Sequence, residues 1–375
     1  MITPFCASPF VRAYTLPDGS FRECCATSPW IRNSTDTFPV WWAHDQHLLD
    51  FRQQMQEQQF PASCRACEVQ EHTGDSLRTA MNRAAATVQT HELPQQWSIM
   101  FGNVCNLSCW SCSEMFSSTI AAHKKKLNIL PADFVDSNVE FERRWPALKQ
   151  SILQSYNLHK EIVLVLLGGE PSYNPLVYNF LLELVEKGLA NRTKLEITTN
   201  GTKTNNKFIH LIETGNWLHI SAFVSVDAIG KKAEWLRHGS QWNDVESVIA
   251  KYQAIADRVE LHTVVSVLNL HDLPALYDYA KQNNLIWTHF LLQEPNFLNI
   301  KFWDGEQHFG ANELDSRGLG HYNTMVGSSA MPGNQTRVKQ YIDSFGTTRK
   351  SLLEHDPFLF DMLKMERFDN ETVWP

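Results

Sequence analysis

Ile162-Val163-Leu164-Val165-Leu166-Leu167-Gly168-Gly169-Glu170-Pro171 is an unbroken apolar run that ends on two glycines, a carboxylate and a proline. A strand with one wet face alternates apolar and polar residues, whereas a run apolar at every position suits a strand covered on both faces, as in a parallel sheet flanked by helices. The same texture recurs on either side of it. Strands are expected over Trp97 to Gly102, Leu195 to Thr199, Ile220 to Val226, Leu261 to Val267 and Ile286 to Leu292. Amphipathic helices are expected between them, over Phe141 to Tyr156, Leu176 to Lys187, Lys207 to Thr214, Trp242 to Ala256 and Leu273 to Gln282. Six strands in series with right-handed crossovers predict an α/β fold, a partial TIM-like (β/α)6 barrel or strongly curved open sheet. In that architecture the functional loops leave the C-terminal ends of the strands.

Working outward, 375 residues exceed one typical domain. The first ninety or so read as short elements broken by turns. Pro17-Asp18-Gly19 is a turn signal between short apolar runs and predicts a hairpin. Helices are expected over Leu48 to Gln58 and Ser76 to Val88. After Trp303 the pattern degrades, with a long loop expected over Gly310 to Thr336. A short helical extension follows, over Arg337 to Phe345, Ser351 to His355 and Pro357 to Arg367. The expected division is a small cysteine-rich module over 1–92, the barrel over 93–305 and the extension over 306–375.

The net charge of −8 disfavours non-specific binding to nucleic acid. Lys124-Lys125-Lys126, the one compact basic run, reads as a solvated helix face. The N-terminus has neither a positive lead nor an apolar core of signal-peptide length, and no stretch approaches a membrane span, so a cytoplasmic protein is expected. In that reducing compartment the eight cysteines call for an account other than disulfides, and metal ligation leads.

The cysteines fall in two groups. Cys105, Cys109 and Cys112 occupy one loop at the end of the first barrel strand, with C-x3-C-x2-C spacing. Three close thiolates can hold three corners of a [4Fe-4S] cube and leave the fourth iron for an exogenous ligand, because a closed site wants four protein ligands. Buried apolar cysteines, or a zinc site borrowing a ligand from elsewhere, are the alternatives.

With this spacing the chain resembles the radical S-adenosylmethionine superfamily over about Gln96 to Leu292. Members usually carry an aromatic residue just before the third cysteine; here Ser111 stands there and Trp110 precedes it. Gly168-Gly169-Glu170-Pro171 matches the family's GGE motif, whose loop holds the methionine ammonium of S-adenosylmethionine. The resemblance implies that Ser111 meets adenine through its backbone, and that Thr199, Asn200, Ser225 and Asp227 contact ribose and the methionine carboxylate. Val265 and Ser266 would border the adenine. Arg237 reads as an exposed helix arginine that could reach the ligand carboxylate. The implied activity is reductive cleavage of S-adenosylmethionine at the [4Fe-4S] cluster to a 5′-deoxyadenosyl radical, which abstracts a substrate hydrogen. A flavodoxin- or ferredoxin-type reductant is implied with it.

Cys6 and Cys24 bracket Gly19, and Cys64-Arg65-Ala66-Cys67 adds a pair, which gives four ligands with Cys25 left over. This resembles the twitch and SPASM modules that hold a second [4Fe-4S] cluster; zinc would be satisfied by four thiolates equally well. In most relatives such a module follows the barrel, whereas here it precedes it. A one-residue shift would make Cys25 the ligand in place of Cys24. The expected substrate is a peptide or protein side chain. A small-molecule or nucleotide substrate is the second enzyme reading, and a non-catalytic zinc or iron-sulfur scaffold is the reading from another class. Trp287, His289 and Gln293 near the sixth strand read as core that could also line a substrate cavity, and no spacing singles out an acid-base pair.

Overall fold

The apolar runs do form strands. In the computed structural model, residues 5–27, 37–71, 76–84, 91–202, 205–305 and 311–344 are described. Eight strands build one sheet: β1 (Arg12–Thr15), β2 (Phe21–Arg22), β3 (Gln96–Met100), β4 (Ile162–Leu167), β5 (Thr193–Thr199), β6 (His219–Ser225), β7 (Arg258–Val265) and β8 (Ile286–Leu291). Their order is β2-β1-β3-β4-β5-β6-β7-β8. From β3 to β8 every pairing is parallel, which gives the partial barrel its six βα units.

The expected hairpin exists but does not stand apart. Its first strand pairs in parallel with β3, Tyr14 opposite Ser98, and its second turns back antiparallel on β1. Alternation accounts for this: Ala13 and Phe21 enter the same core as Trp97 and Ile99, so the hairpin extends the barrel's buried layer.

Register sorts each strand's residues. One set, including Ile99, Leu164, Leu166, Leu195, Ile197 and Ala222, packs against helices such as Ser137–Leu158 and Pro175–Glu186 in one core. A second core joins Val224, Leu261 and Val265 to the C-terminal helices through Leu314, Tyr322, Val338 and Ile342. The alternate residues face the concave side and are far more polar. One row there runs Tyr14, Ser98, Val165, Glu196, Ser221 and Arg258.

The segment expected as a loop over Gly310 to Thr336 contains helices Ala311–Asp315 and His321–Met325. Its glycines and serines hide Leu314, Leu319, Tyr322 and Val326, which are buried in the second core and draw the backbone into helical turns. A further helix, Asn334–Ser344, starts before the expected Arg337. Expected helices over Ser351 to His355 and Pro357 to Arg367, and the end of that over Ser76 to Val88, lie outside the described residues. No helix among the described residues is long and apolar enough to cross a membrane.

Candidate functional site

The three-cysteine loop leaves β3 through Gly102, whose φ of +67° suits glycine. Backbone bonds sew it to its surroundings: Ser108 N donates to His238 O at 3.0 Å and Trp110 N to Leu236 O at 3.0 Å. Ser118 Oγ and Thr119 Oγ1 both donate to Cys105 O, at 3.2 and 2.7 Å, at the start of helix Ser118–Lys126. Asn103 and Asn138 pair through their side chains at 2.6 Å. Trp110 is buried, its indole donating to Trp235 O at 2.9 Å, while Tyr341 of the last described helix donates to Trp110 O at 2.7 Å. Ser111 sits half-buried between Trp110 and Cys112.

Gly168 and Gly169 act first on the cysteine loop. A Cβ on Gly169 would lie 2.2 Å from Val104 O, and one on Gly168 would lie 2.8 Å from Gly102 O. This close approach lets Glu170 N donate to Val104 O at 2.7 Å, so the two loops form one body. The Glu170 carboxylate is buried and occupied. Oε1 accepts from Ser172 N, Ser172 Oγ and Thr199 Oγ1 at 3.2, 2.7 and 3.0 Å, and Oε2 accepts from Asn200 N at 2.6 Å. Burial raises its pKa against these donors. Glu170 therefore ties the end of β4 to the end of β5, its carboxylate accepting from four protein donors.

Asn200 carries the contact back to the cysteines. Its Nδ2 donates to Asn106 Oδ1 at 2.8 Å and stands 3.9 Å from Cys105 Sγ. Leu107 N points at the same sulfur from 3.5 Å. At the end of β6, Ser225 is half-buried on the concave face, and Asp227 is buried. The Asp227 carboxylate accepts from Arg237 Nη1 at 2.8 Å and from Val264 N at 2.9 Å. Arg237 departs from the sequence reading: its side chain is 13% exposed and its charge is felt at Cys105, Cys109 and Cys112. Val265 departs too, being fully buried in the second core, with Val264 facing the concave side instead.

Burial pushes the Cys109 thiol up to about 11, against the pull of Arg237, and raises Cys105 and Cys112 as well. Thiols so placed lose their protons when a cation binds, which is the condition of a metal or cluster site.

Four of the N-terminal cysteines meet in one small cavity of about 20 Å³. Cys6, Cys24, Cys64 and Cys67 line it together with apolar Phe51, Met55, Leu77 and Met81; Cys25 does not. Burial drives Cys6 up to about 12 and raises Cys64 and Cys67, and each of these thiols feels Cys24. Ala26 N points at Cys24 Sγ from 3.4 Å. Arg78, another lining residue, is held by Glu71 Oε1 at 2.8 Å. Four gathered thiols, Cys6 and Cys67 buried and Cys24 and Cys64 half-buried, with an amide aimed at sulfur suit a bound cation. Among the described residues, no three His, Cys, Asp or Glu side chains form a ready cage for a single metal ion.

Trp287 and His289, read as core that could also line a cavity, lie on the helix-facing side. Trp287 Nε1 donates to Thr263 Oγ1 at 2.8 Å, and His289 Nδ1 stands 2.6 Å from Tyr322 OH. Sequence reasoning missed the bracing groups Asn106, Asn138 and Tyr341, and it misjudged Arg237.

No family model matches the chain, and no curated protein does. Several solved structures are similar at low identity. One is anSMEcpe with bound AdoMet, at 16% identity over 57% of this chain and 55% of that chain, with a TM-score of 0.41. Another is SuiB of Streptococcus suis bound to S-adenosylmethionine, at 15% identity over 79% and 59%, TM-score 0.41. A third is the radical S-adenosylmethionine methyltransferase TsrM from Kitasatospora setae, at 12% identity over 53% and 34%, TM-score 0.36. The chain thus matches between about a third and six-tenths of the length of these proteins.

Proposed function

We propose that this chain is a radical S-adenosylmethionine enzyme that modifies a peptide or protein side chain. The observation that carries the reading is the union of two loops at the C-terminal ends of β3 and β4. The Cys105, Cys109 and Cys112 loop is locked onto Gly168–Glu170 by the Glu170 N to Val104 O bond. A [4Fe-4S] cluster bound there supplies the electron that cleaves S-adenosylmethionine to a 5′-deoxyadenosyl radical. In this reading Cys105, Cys109 and Cys112 ligate three irons, and Asn200, Leu107 N and Arg237 temper the charge on the sulfurs. Ser111, Gly168, Gly169, Ser225 and Val264 line the place for the cofactor. Glu170, Thr199 and Asp227 hold that place in shape from behind, as does Val265.

The second part of the proposal assigns an auxiliary cluster to Cys6, Cys24, Cys64 and Cys67. The module over 1–92 lends its hairpin to the sheet, and the extension over 306–375 braces the cysteine loop through Tyr341. Exposed Ile286 and Phe290 on the concave face support a peptide or protein substrate. A small flavodoxin- or ferredoxin-type donor would reduce the cluster.

Anaerobic reconstitution with iron and sulfide, followed by chromatography for 5′-deoxyadenosine after reduction with S-adenosylmethionine present, tests the reading. Release of deoxyadenosine, abolished by Cys109→Ala, is expected. A reducible cluster that neither binds S-adenosylmethionine nor yields deoxyadenosine would sink it.

A further inference from the structure

On the concave face, outside both cysteine groups, β6, β7 and β8 assemble a further set of side chains. Register places Phe223, Glu260 and Ile286 in one row, and Ser225, His262 and Thr288 in the next, with Val264 and Phe290 beyond. Glu260 is 4% exposed on its side chain and is held on three sides. Thr288 Oγ1 donates to its Oε2 at 2.9 Å, Arg258 pairs with its Oε1, and His262 Nε2 lies 3.5 Å from Oε2. Phe223 stacks on the His262 ring at 4.6 Å and 27°, and Phe290 meets it edge-on at 5.4 Å and 75°. The two aromatic contacts fix the ring position with Nε2 toward the carboxylate, and the structure records no hydrogen bond from another described residue at Nδ1.

An ion pair within β7, braced from β8 by Thr288, would explain Glu260, Arg258 and Thr288. It leaves unexplained why Ile286 and Phe290, each 48% exposed, flank an imidazole with one free nitrogen. Exposed apolar surface beside a few oriented polar groups is the composition of a ligand site, and a carboxylate-oriented imidazole is the composition of a general base.

We infer that His262, oriented by Glu260, together with Phe223, Ile286 and Phe290, forms a binding site for an aromatic side chain with a proton-bearing head, specifically the phenol of a tyrosine. The ring lies against Phe290 and Ile286, and the phenol O–H donates to His262 Nδ1. If the proton moves, the O–H bond breaks and an N–H bond forms. The electron pair stays on the phenolate oxygen, and Glu260 stabilises the imidazolium. The inference depends on the proposed radical activity only in treating the bound phenol as substrate.

Calorimetric titration of the reconstituted full chain with p-cresol and with 4-methylanisole, which lacks the O–H, reads the site directly. p-Cresol should bind about fivefold more tightly, the worth of one net hydrogen bond. His262→Phe keeps a stacked ring without its nitrogens and should make the two probes equal. Phe290→Ala should weaken both alike. If His262→Phe does not fold by circular dichroism, Glu260→Gln decides, since the preference must narrow when the imidazole loses its anionic partner. Equal affinities in the native protein, no heat with p-cresol, or a preference that survives these changes would overturn the site. Retained p-cresol preference without deoxyadenosine formation would sink the radical reading alone, and the converse would sink this inference alone.

Discussion

Replacing Gly169 with alanine isolates what joins the two loops of the candidate site. Gly169 has φ of +54°, and a Cβ there would meet Val104 O at 2.2 Å, Val104 C at 2.7 Å and Asn103 C at 2.9 Å. All three are backbone atoms, so no side chain can swing aside. The left-handed conformation alone costs an L-residue about 1–2 kcal/mol. Relieving the overlap must also part the loops and break the 2.7 Å bond from Glu170 N to Val104 O, at about 1–3 kcal/mol for stranding buried groups. Residual overpacking costs about 1–3 kcal/mol more. A total of about 3–8 kcal/mol is a large part of the roughly 5–15 kcal/mol that holds a domain folded. Gly188 is the matched control, with φ of +65° and nothing within 4 Å of its Cβ. Gly188→Ala should cost about 1–2 kcal/mol from conformation only. Urea denaturation of both variants, with iron content after reconstitution, measures the difference. A Gly169→Ala protein as stable as Gly188→Ala, holding its full iron, would refute the claim that the loops depend on this contact.

Three other outcomes are expected. Cys24→Ser should lower reconstituted iron by about four atoms per chain, one cluster's worth, while Cys25→Ser leaves it unchanged, because Cys24 lines the cavity and Cys25 does not; elemental analysis decides. Arg237→Gln removes the cation beside Cys105 and Cys109 and leaves Asp227 without its 2.8 Å partner, so the midpoint potential of the three-cysteine centre should fall in a redox titration followed by electron paramagnetic resonance. Burial lowers the pKa of His159 and of His289 below the ordinary 6.5. The unfolded chain then binds more protons than the native one below pH 6.5, so stability is complete above that pH and declines as pH falls through the two folded values. His159→Gln should flatten this decline in melting curves recorded between about pH 7.5 and 5.5, and an unchanged slope would count against it.

The barrel was legible because its strands are apolar at consecutive positions and few other structures tolerate that. Ile162 to Leu167 was read with the bounds it has, and the helix over Leu273 to Gln282 likewise. The hairpin strands were legible as strands but not as barrel strands, since four residues and two carry too little pattern to name a partner. That the cysteines fall in two groups could be read from spacing, but which of Cys24 and Cys25 faces the cavity could not. What could not be read was the occupation of the polar residues around them. Gly-Gly-Glu-Pro looks the same whether its carboxylate faces a ligand or four protein donors, and only the positions of Ser172, Thr199 and Asn200 distinguish the two. Arg237 was misjudged for a related reason: its burial comes from Asp227, a residue ten positions away on a different element.

The hairpin's place in the sheet bears on how the two cysteine groups can act on each other. Strand β1 sends Arg12 and Tyr14 to the concave face, and β2 adds Arg22 beside Tyr14. At its far end the hairpin runs directly into Cys24 and Cys25, whose charges are felt at Tyr14 together with those of both arginines. Arg12 is in turn felt at Glu196 in the middle of the concave row, as is Arg258 from β7. Buried Arg22 and half-buried Arg12 thus stand between these cysteines and Glu196 on the concave face, where screening by salt is weak. An auxiliary module tethered by a flexible linker would lack that coupling. Pairing β1 to β3 joins the hairpin that leads into Cys24 to the sheet whose first barrel strand leads into the three-cysteine loop, so under the proposed cluster assignment a change of charge at one site would bias the electrostatics of the surface on which the other acts.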